Sequence, residues 1–222
     1  MPPPAEPTSA ISKRRRAANK DARAAYANRR QEMVEAAIRV FNRMGYQAAS
    51  ISAVAAELGV DRATLYYYFS SKEQMFDEIV RSVLEANADL ASRISAAPIS
   101  PIRKLRELVT AMMNSYASNY PLLYIYIRED LSHVSTKRTA WSDEMRALNR
   151  RIETSIVNIV EQGVADGSLR RIGSPRTVAF SILGMLNWTH RWYRPDRGET
   201  ADEIGKIIAE MAISGLESPY AS

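Results

Sequence analysis

Cysteine is absent from all 222 residues. Disulfides, thiolate nucleophiles and cysteine-based zinc sites are thereby excluded, and a reducing cytoplasm is the expected compartment. Long apolar runs are missing too. Stretches such as Val178 to Trp188 fall well short of the roughly 18 residues a membrane span needs, so no membrane partner is expected. No apolar core follows the basic N-terminal residues, as a secretory signal would require. Only two histidines occur, His133 and His190, and neither has a second ligand one helical turn away. Gly-x-Gly-x-x-Gly, a phosphate-loop lysine and the Gly-x-Ser-x-Gly elbow are all lacking. The chain therefore reads as a non-enzyme with no metal and no cofactor. Strand signals are nearly absent, and the one Asp-Gly pair, Asp166-Gly167, has helix rather than strand before it.

What is present is an ordinary globular composition, 46% hydrophobic and 25% charged, which excludes a disordered or fibrous chain. The net charge of +5 is unevenly placed. Lys13, Arg14, Arg15, Arg16, Lys20, Arg23, Arg29 and Arg30 face only Glu6 and Asp21 in the first thirty residues, while the rest holds 22 basic and 23 acidic groups. Such an arm suits contact with phosphate; a solubilising tail would carry the same charge. Residues 1–24 have almost nothing large and apolar, so a mobile arm without regular structure is expected there.

Helical periodicity begins at Arg29. Val34, Ala37, Ile38, Phe41 and Met44 fall on one face, and Gly45 ends the segment. Ser50 stands as the N-cap of a short helix, 51–58, with Val54, Ala55 and Leu58 inward and Gly59 as its stop. A third helix follows over 62–68. Ser70 or Ser71 then caps a fourth from about 71 to 95, with Met75, Phe76, Ile79, Val80, Val83 and Leu84 on its apolar stripe. After Pro98 and Pro101 the pattern predicts helices over 101–118, 121–131, 138–166, 175–191 and 201–216. The fold class is all-α: a three-helix head over 25–80, then a larger helical domain over 81–222.

The segment from Ile51 to Phe69 carries the functional signal. Two short helices crossing steeply over a tight turn need a small residue where they touch and a glycine in the turn; Ala55 and Gly59 supply these, with Val60 and Leu65 as apolar plugs. The second helix then shows Arg62, Thr64, Tyr66 and Tyr67 outward, and a major groove admits one such helix. Phe41 and Gly45, then Ala55 to Gly59, then Thr64-Leu65-Tyr66-Tyr67-Tyr68-Phe69 followed by Ser71-Lys72-Glu73, resemble the DNA-binding domain of the TetR family of bacterial regulators. The resemblance implies that Arg62, Ala63, Thr64, Tyr66 and Tyr67 face DNA, and that Ser50, Ser52 and Lys72 hold phosphate. Leu65 and Phe69 are core positions. Tyr68 is open between packing and backbone contact. Asp61 departs mildly from the family pattern, and is read as the cap of the recognition helix.

The same resemblance implies that the remainder binds a small ligand and forms a homodimer. Val178, Ile182, Met185 and Leu186, with Ile204, Ile207, Ile208 and Met211, make stripes wide enough for a two-subunit four-helix bundle, although internal core helices would look alike. Met112, Met113, Tyr116, Tyr120, Tyr124 and Tyr126, with Asn187, Trp188, His190, Arg191, Trp192 and Tyr193, have the mixture of apolar walls and polar anchors that a ligand pocket uses; a core filled by Met and Tyr shares it. Arg191-Trp192-Tyr193-Arg194-Pro195, then Asp196-Arg197-Gly198, is similar to a C-terminal signature of TetR-family repressors of lipid and steroid catabolism, whose effectors are often acyl-coenzyme A thioesters. On that resemblance Arg128, Arg191 and Arg194 would meet the anionic end of the effector, or else serve as surface salt-bridge partners. The function expected is a repressor bound as a dimer to a near-palindromic double-stranded operator and released by its effector, with the helix over 71–95 as lever. An architectural DNA-binding protein and a helical carrier or enzyme retaining the head are the alternatives.

Overall fold

The computed structural model describes residues 10–130 and 139–216. Nine α-helices and one 3₁₀ turn account for the regular structure among them, with no strand beyond an isolated bridge between Arg194 and Arg197. The chain divides into two compact units after Met75. In the first, α1 (Ala10–Met44), α2 (Ile51–Leu58) and α3 (Arg62–Tyr68) close on a core of Met33, Val40, Phe41, Val54, Leu65 and Phe69. The division falls inside α4 (Lys72–Ala96). The second unit continues with α5 (Pro101–Ser118), α6 (Leu122–Asp130), α7 (Thr139–Ala165), α8 (Pro175–Trp188), the 3₁₀ turn Thr189–Arg191 and α9 (Ala201–Leu216).

Local chemistry sets the ends of these helices. Ser100 and Ser174 each accept a hydrogen bond from a backbone N–H in the first turn and are followed by Pro101 and Pro175, residues suited to a position whose N–H has no helical partner. Thr200 and Glu203 form a reciprocal box at the start of α9: the Thr200 hydroxyl accepts from Glu203 N–H at 3.2 Å, and the carboxylate accepts from Thr200 N–H at 2.8 Å. At the other end of α9, Arg170 donates from its backbone to Leu216 and from its guanidinium to Gly215. Gly205 lets α9 lie close on α5, since a Cβ there would stand 2.9 Å from Thr110 Cα.

Three expectations are corrected. Residues 10–24 are helical rather than without regular structure. Ala, Arg and Lys are strong helix formers, and residues 19–28 stay exposed along that stretch, so the extension needs no buried face; residues 1–9 lie outside the described residues, as do His133 and the ends proposed at 131 and 138. Met44 is exposed and Ile38 only half-buried, while Met33, Ala36 and Val40 fill the face of α1 instead. Finally, α8 ends at Trp188 and gives way to the 3₁₀ turn.

Candidate DNA interface and effector cavity

Between α2 and α3 the chain turns on Gly59, whose φ of 66° lies in the left-handed region that a side chain disfavours. Ser50 caps α2 by accepting from Ala53 N–H at 3.1 Å, and Asp61 caps α3 by accepting from Thr64 N–H at 2.6 Å. That backbone bond is the main reason the Asp61 carboxyl is held below the usual aspartate range. Leu65 and Phe69 are fully buried and fix the inner side of α3. Its outer side presents Arg62, Ala63, Tyr66 and Tyr67, with Thr64 partly covered. Tyr67 is 73% exposed, more than any other large apolar or aromatic side chain among the described residues. Ser50 and Ser52 are exposed at the start of α2.

The outward residues are braced rather than loose. Arg62 donates to the Tyr66 hydroxyl at 2.7 Å and lies over its ring, 5.0 Å from the centroid. Tyr68 stacks on Tyr26 of α1 at 4.7 Å, and Tyr67 meets the same Tyr26 edge-on at 6.2 Å. Tyr68 is thus a packing residue. Arg30, also on α1, covers the Phe69 ring at 4.4 Å. Arg39 and Arg43 donate to Glu57 at 3.1 and 2.8 Å, tying α1 to α2 and holding the Glu57 carboxyl below its usual range, chiefly through the Arg43 bond. Lys72 is turned inward: its ammonium donates to the carbonyls of Tyr46 and Gln47 at 2.9 and 3.4 Å and lies over the Tyr46 ring. Two of its three protons are so engaged, which leaves one without a partner among these bonds. Tyr26 and Tyr46 were not singled out in the sequence, and Arg30 was named only for its charge. The available signal for Tyr26 was an aromatic residue one helical turn before the basic pair Arg29-Arg30, just inside the segment 25–80 read as the head.

In the second unit, α4, α5, α6, α7 and α8 converge on a cavity of about 140 Å³. Of the residues proposed for a ligand site, Met112, Tyr116, Tyr126 and Asn187 line it. The Tyr116 hydroxyl donates to Asn187 Oδ1 at 2.6 Å, and burial pushes this phenol well above its ordinary pKa. Asn149 donates to the Tyr126 hydroxyl at 2.8 Å on the same wall. Asn87 of α4 completes the polar set; it is 4% exposed and its Nδ2 finds no hydrogen-bond partner in the protein. Among the described residues no Lys, Arg or His lines the cavity, and Glu153 is the one charged lining residue.

Other residues expected at the ligand site lie elsewhere. Met113 is fully buried against α9 at Gly205. Tyr124 bonds Thr189 at 2.8 Å, with its phenol pushed up to about 12 by burial, and Tyr120 packs edge-on against it. Arg128, Trp188, Arg191 and Arg194 are exposed, with the Arg191 guanidinium over the Trp188 ring at 5.5 Å. Asn87 and Asn149 were missed. Their signal was a carboxamide on an otherwise apolar stripe: Asn87 stands between Leu84 and Ala91, and Asn149 between Met145 and Ile152.

The expected dimer stripes are split. Val178, Ile182, Leu186, Ile204 and Ile208 are buried within the single chain. Phe180, Trp188, Ile207 and Met211 are 43–65% exposed, at spacings that put each pair on one side of its helix. Among the described residues no helix is long and apolar enough to cross a membrane.

Comparison with known proteins agrees with both units. Residues 33–79 match the profile of bacterial regulatory proteins of the tetR family, and residues 98–216 match the tetracyclin repressor-like C-terminal domain. The chain is 30% identical over 220 residues to the HTH-type transcriptional repressor KstR2 of Rhodococcus jostii, covering 99% of this chain and 98% of that protein. It resembles the solved structure of the ketosteroid transcriptional regulator KstR2 of Mycobacterium tuberculosis, with a TM-score of 0.71, 25% identity, and coverage of 86% and 95% of the two chains. A fold neighbour at 22% identity and a TM-score of 0.61, covering 82% and 97%, is AibR, solved in complex with isovaleryl coenzyme A and operator DNA. An exposed reading helix behind a left-handed glycine, followed by a helical domain with an internal cavity, is thus matched along nearly the whole sequence, and the chain belongs to the TetR family of bacterial transcriptional regulators.

Proposed function

We propose that this protein is a transcriptional repressor that grips a near-palindromic operator as a homodimer and lets go when a small organic effector enters the cavity of the second unit. The observation that carries the reading is the outer side of α3. Arg62, Tyr66 and Tyr67 are exposed while Leu65 and Phe69 are locked inside, and a soluble domain has little other reason to hold two tyrosines and an arginine rigidly outward. Arg62 would donate two bonds to a guanine edge, Ala63 and Thr64 would pack on a thymine methyl, and Ser50, Ser52 and Lys72 would hold phosphate. Two such helices in one dimer would enter successive major grooves about 34–36 Å apart.

Release requires that the effector favour a form of the dimer that fits the operator poorly, because a ligand with equal affinity for both forms shifts nothing. Helix α4 is a suitable lever: it opens with Lys72 bonded to the carbonyls of the α1–α2 turn and brings Asn87 to the cavity wall. The effector class we favour is an acyl-coenzyme A thioester. Support comes from AibR, whose structure holds isovaleryl coenzyme A, and from the cavity here, which has room for a short acyl group but not for a nucleotide. The test is a gel shift on the promoter beside the protein's own gene. One dimer should bind an inverted repeat there, and a series of acyl-coenzyme A thioesters should include one that releases it. Binding that ignores sequence would favour an architectural role instead.

A further inference from the structure

Five helices build the cavity, and its chemistry is one-sided. Among the described residues its polar lining consists of three carboxamides, two phenols and one carboxylate, with no cation. Four of those groups are paired with one another: Tyr116 with Asn187, and Asn149 with Tyr126. Asn87 is not, although it is 96% buried; its Nδ2 has no partner in the protein. A buried donor left unsatisfied costs free energy that a shape-matched apolar residue would not. Leucine would suit this place on the stripe of α4, between Leu84 and Ala91, yet a carboxamide stands there.

We infer that Asn87 is the recognition donor of the effector site, and that the part of the effector entering the cavity is an uncharged, ring-sized group with a carbonyl or similar acceptor that takes the free Nδ2–H. The inference rests on the reading of this cavity as the effector site and names the chemistry of that site. Size follows from volume: an apolar cavity of about 150 Å³ accepts benzene, and this one is about 140 Å³. Charge follows from the lining. A carboxylate ligand would meet Glu153 with no Lys, Arg or His among the described lining residues to offset it, and an unpaired anion taken from water into such a site is strongly disfavoured. The anionic end of any thioester therefore stays outside, and a free acid is rejected.

The test uses the full chain labelled at its methionine methyls, with the Met112 methyl at the cavity wall as reporter. Three probes of similar size are titrated: cyclohexanone, its hydrocarbon isostere methylenecyclohexane, and cyclohexanecarboxylate. The ketone should bind roughly tenfold more tightly than the hydrocarbon, the size of one buried hydrogen bond, and the carboxylate should leave the Met112 signal unmoved. In Asn87→Leu the preference should reverse, with a melting temperature equal to or above that of the parent. Asn87→Ser, which keeps a donor, should retain part of the ketone preference and covers the case in which leucine crowds its neighbours. Equal binding of ketone and hydrocarbon to the parent would mean that water serves the amide; the inference then falls while the cavity remains a ligand site. Tighter binding of the carboxylate would overturn it as well. If no probe moves the Met112 methyl, the placement of the effector in this cavity falls together with the inference.

Discussion

Tyr26 sits outside the helix-turn-helix, yet it touches two residues of the reading helix, stacking on Tyr68 at 4.7 Å and meeting Tyr67 edge-on at 6.2 Å. Each such aromatic contact is worth about 0.5–1.5 kcal/mol, enough to hold Tyr67 in one orientation despite its exposure. Tyr26→Ala should therefore weaken operator binding roughly threefold to tenfold with little change in helical content. Tyr26→Phe should behave like the parent, because the stack needs the ring and not the hydroxyl. Fluorescence anisotropy on a labelled operator reads both, and a phenylalanine variant as weak as the alanine one would assign the effect to the hydroxyl instead. Asp61 teaches a complementary lesson. A carboxylate beside a phosphate track looks unfavourable in sequence, but its bond to Thr64 N–H at 2.6 Å fixes the first turn of α3 and explains its presence.

Two glycines separate conformational from steric demands at the level of the helices. At Gly59 an added Cβ would meet nothing within 4 Å, so the whole penalty of Gly59→Ala comes from its positive φ; a loss of about 1–2 kcal/mol is expected. At Gly205 the backbone is helical and alanine would gain about 1 kcal/mol of helix propensity, but its Cβ would press on Thr110 Cα at 2.9 Å. Backbone cannot step aside cheaply, so Gly205→Ala should be destabilising overall, by about 1–3 kcal/mol. Urea unfolding of the two variants checks both magnitudes. These elements also mark what could be read in advance. Helices α5 and α9 begin where predicted, and Ser100-Pro101 and Thr200 with Glu203 are local start signals, written within one turn. The start of α1 was not legible, since the argument for an arm counted buried surface and a helix of Ala, Arg and Lys requires none. The cavity was legible only in part. Met112, Tyr116 and Asn187 could be named from residue type, whereas Asn87 and Asn149 gain their meaning from the convergence of α4 and α7 with three other helices, which no single periodicity reveals.

At the level of the whole molecule, the basic excess and the exposed apolar side chains of α8 and α9 lie at opposite ends of the chain. The basic excess lies in the first thirty residues, and on the proposed reading its contribution to DNA binding would be counterion release, which does not depend on sequence. Removal of residues 1–24 leaves Tyr26 in place, so it should lower affinity for operator and random DNA alike and flatten the dependence on salt. A titration at several ionic strengths measures this, and a loss confined to the operator would contradict it. Helices α8 and α9 instead expose apolar side chains at Phe180, Trp188, Ile207 and Met211. Trp188→Glu combined with Met211→Glu puts charge on side chains that are 60% and 65% exposed, so each chain should fold as before. The double variant should run as a monomer in light scattering and lose operator binding, because one reading helix captures only half of the site.

The pairing of Arg62 with Tyr66 has a consequence for target search. To reach a base edge the guanidinium must first leave the phenol and its ring, a cost identical for every stretch of duplex the protein visits. Only a guanine at the right step returns two bonds for the one surrendered. If Arg62 reads a guanine as proposed, bulk genomic DNA would meet a folded-back arginine and be held by phosphate contacts alone, so the protein would slide past near-matches without lingering on them.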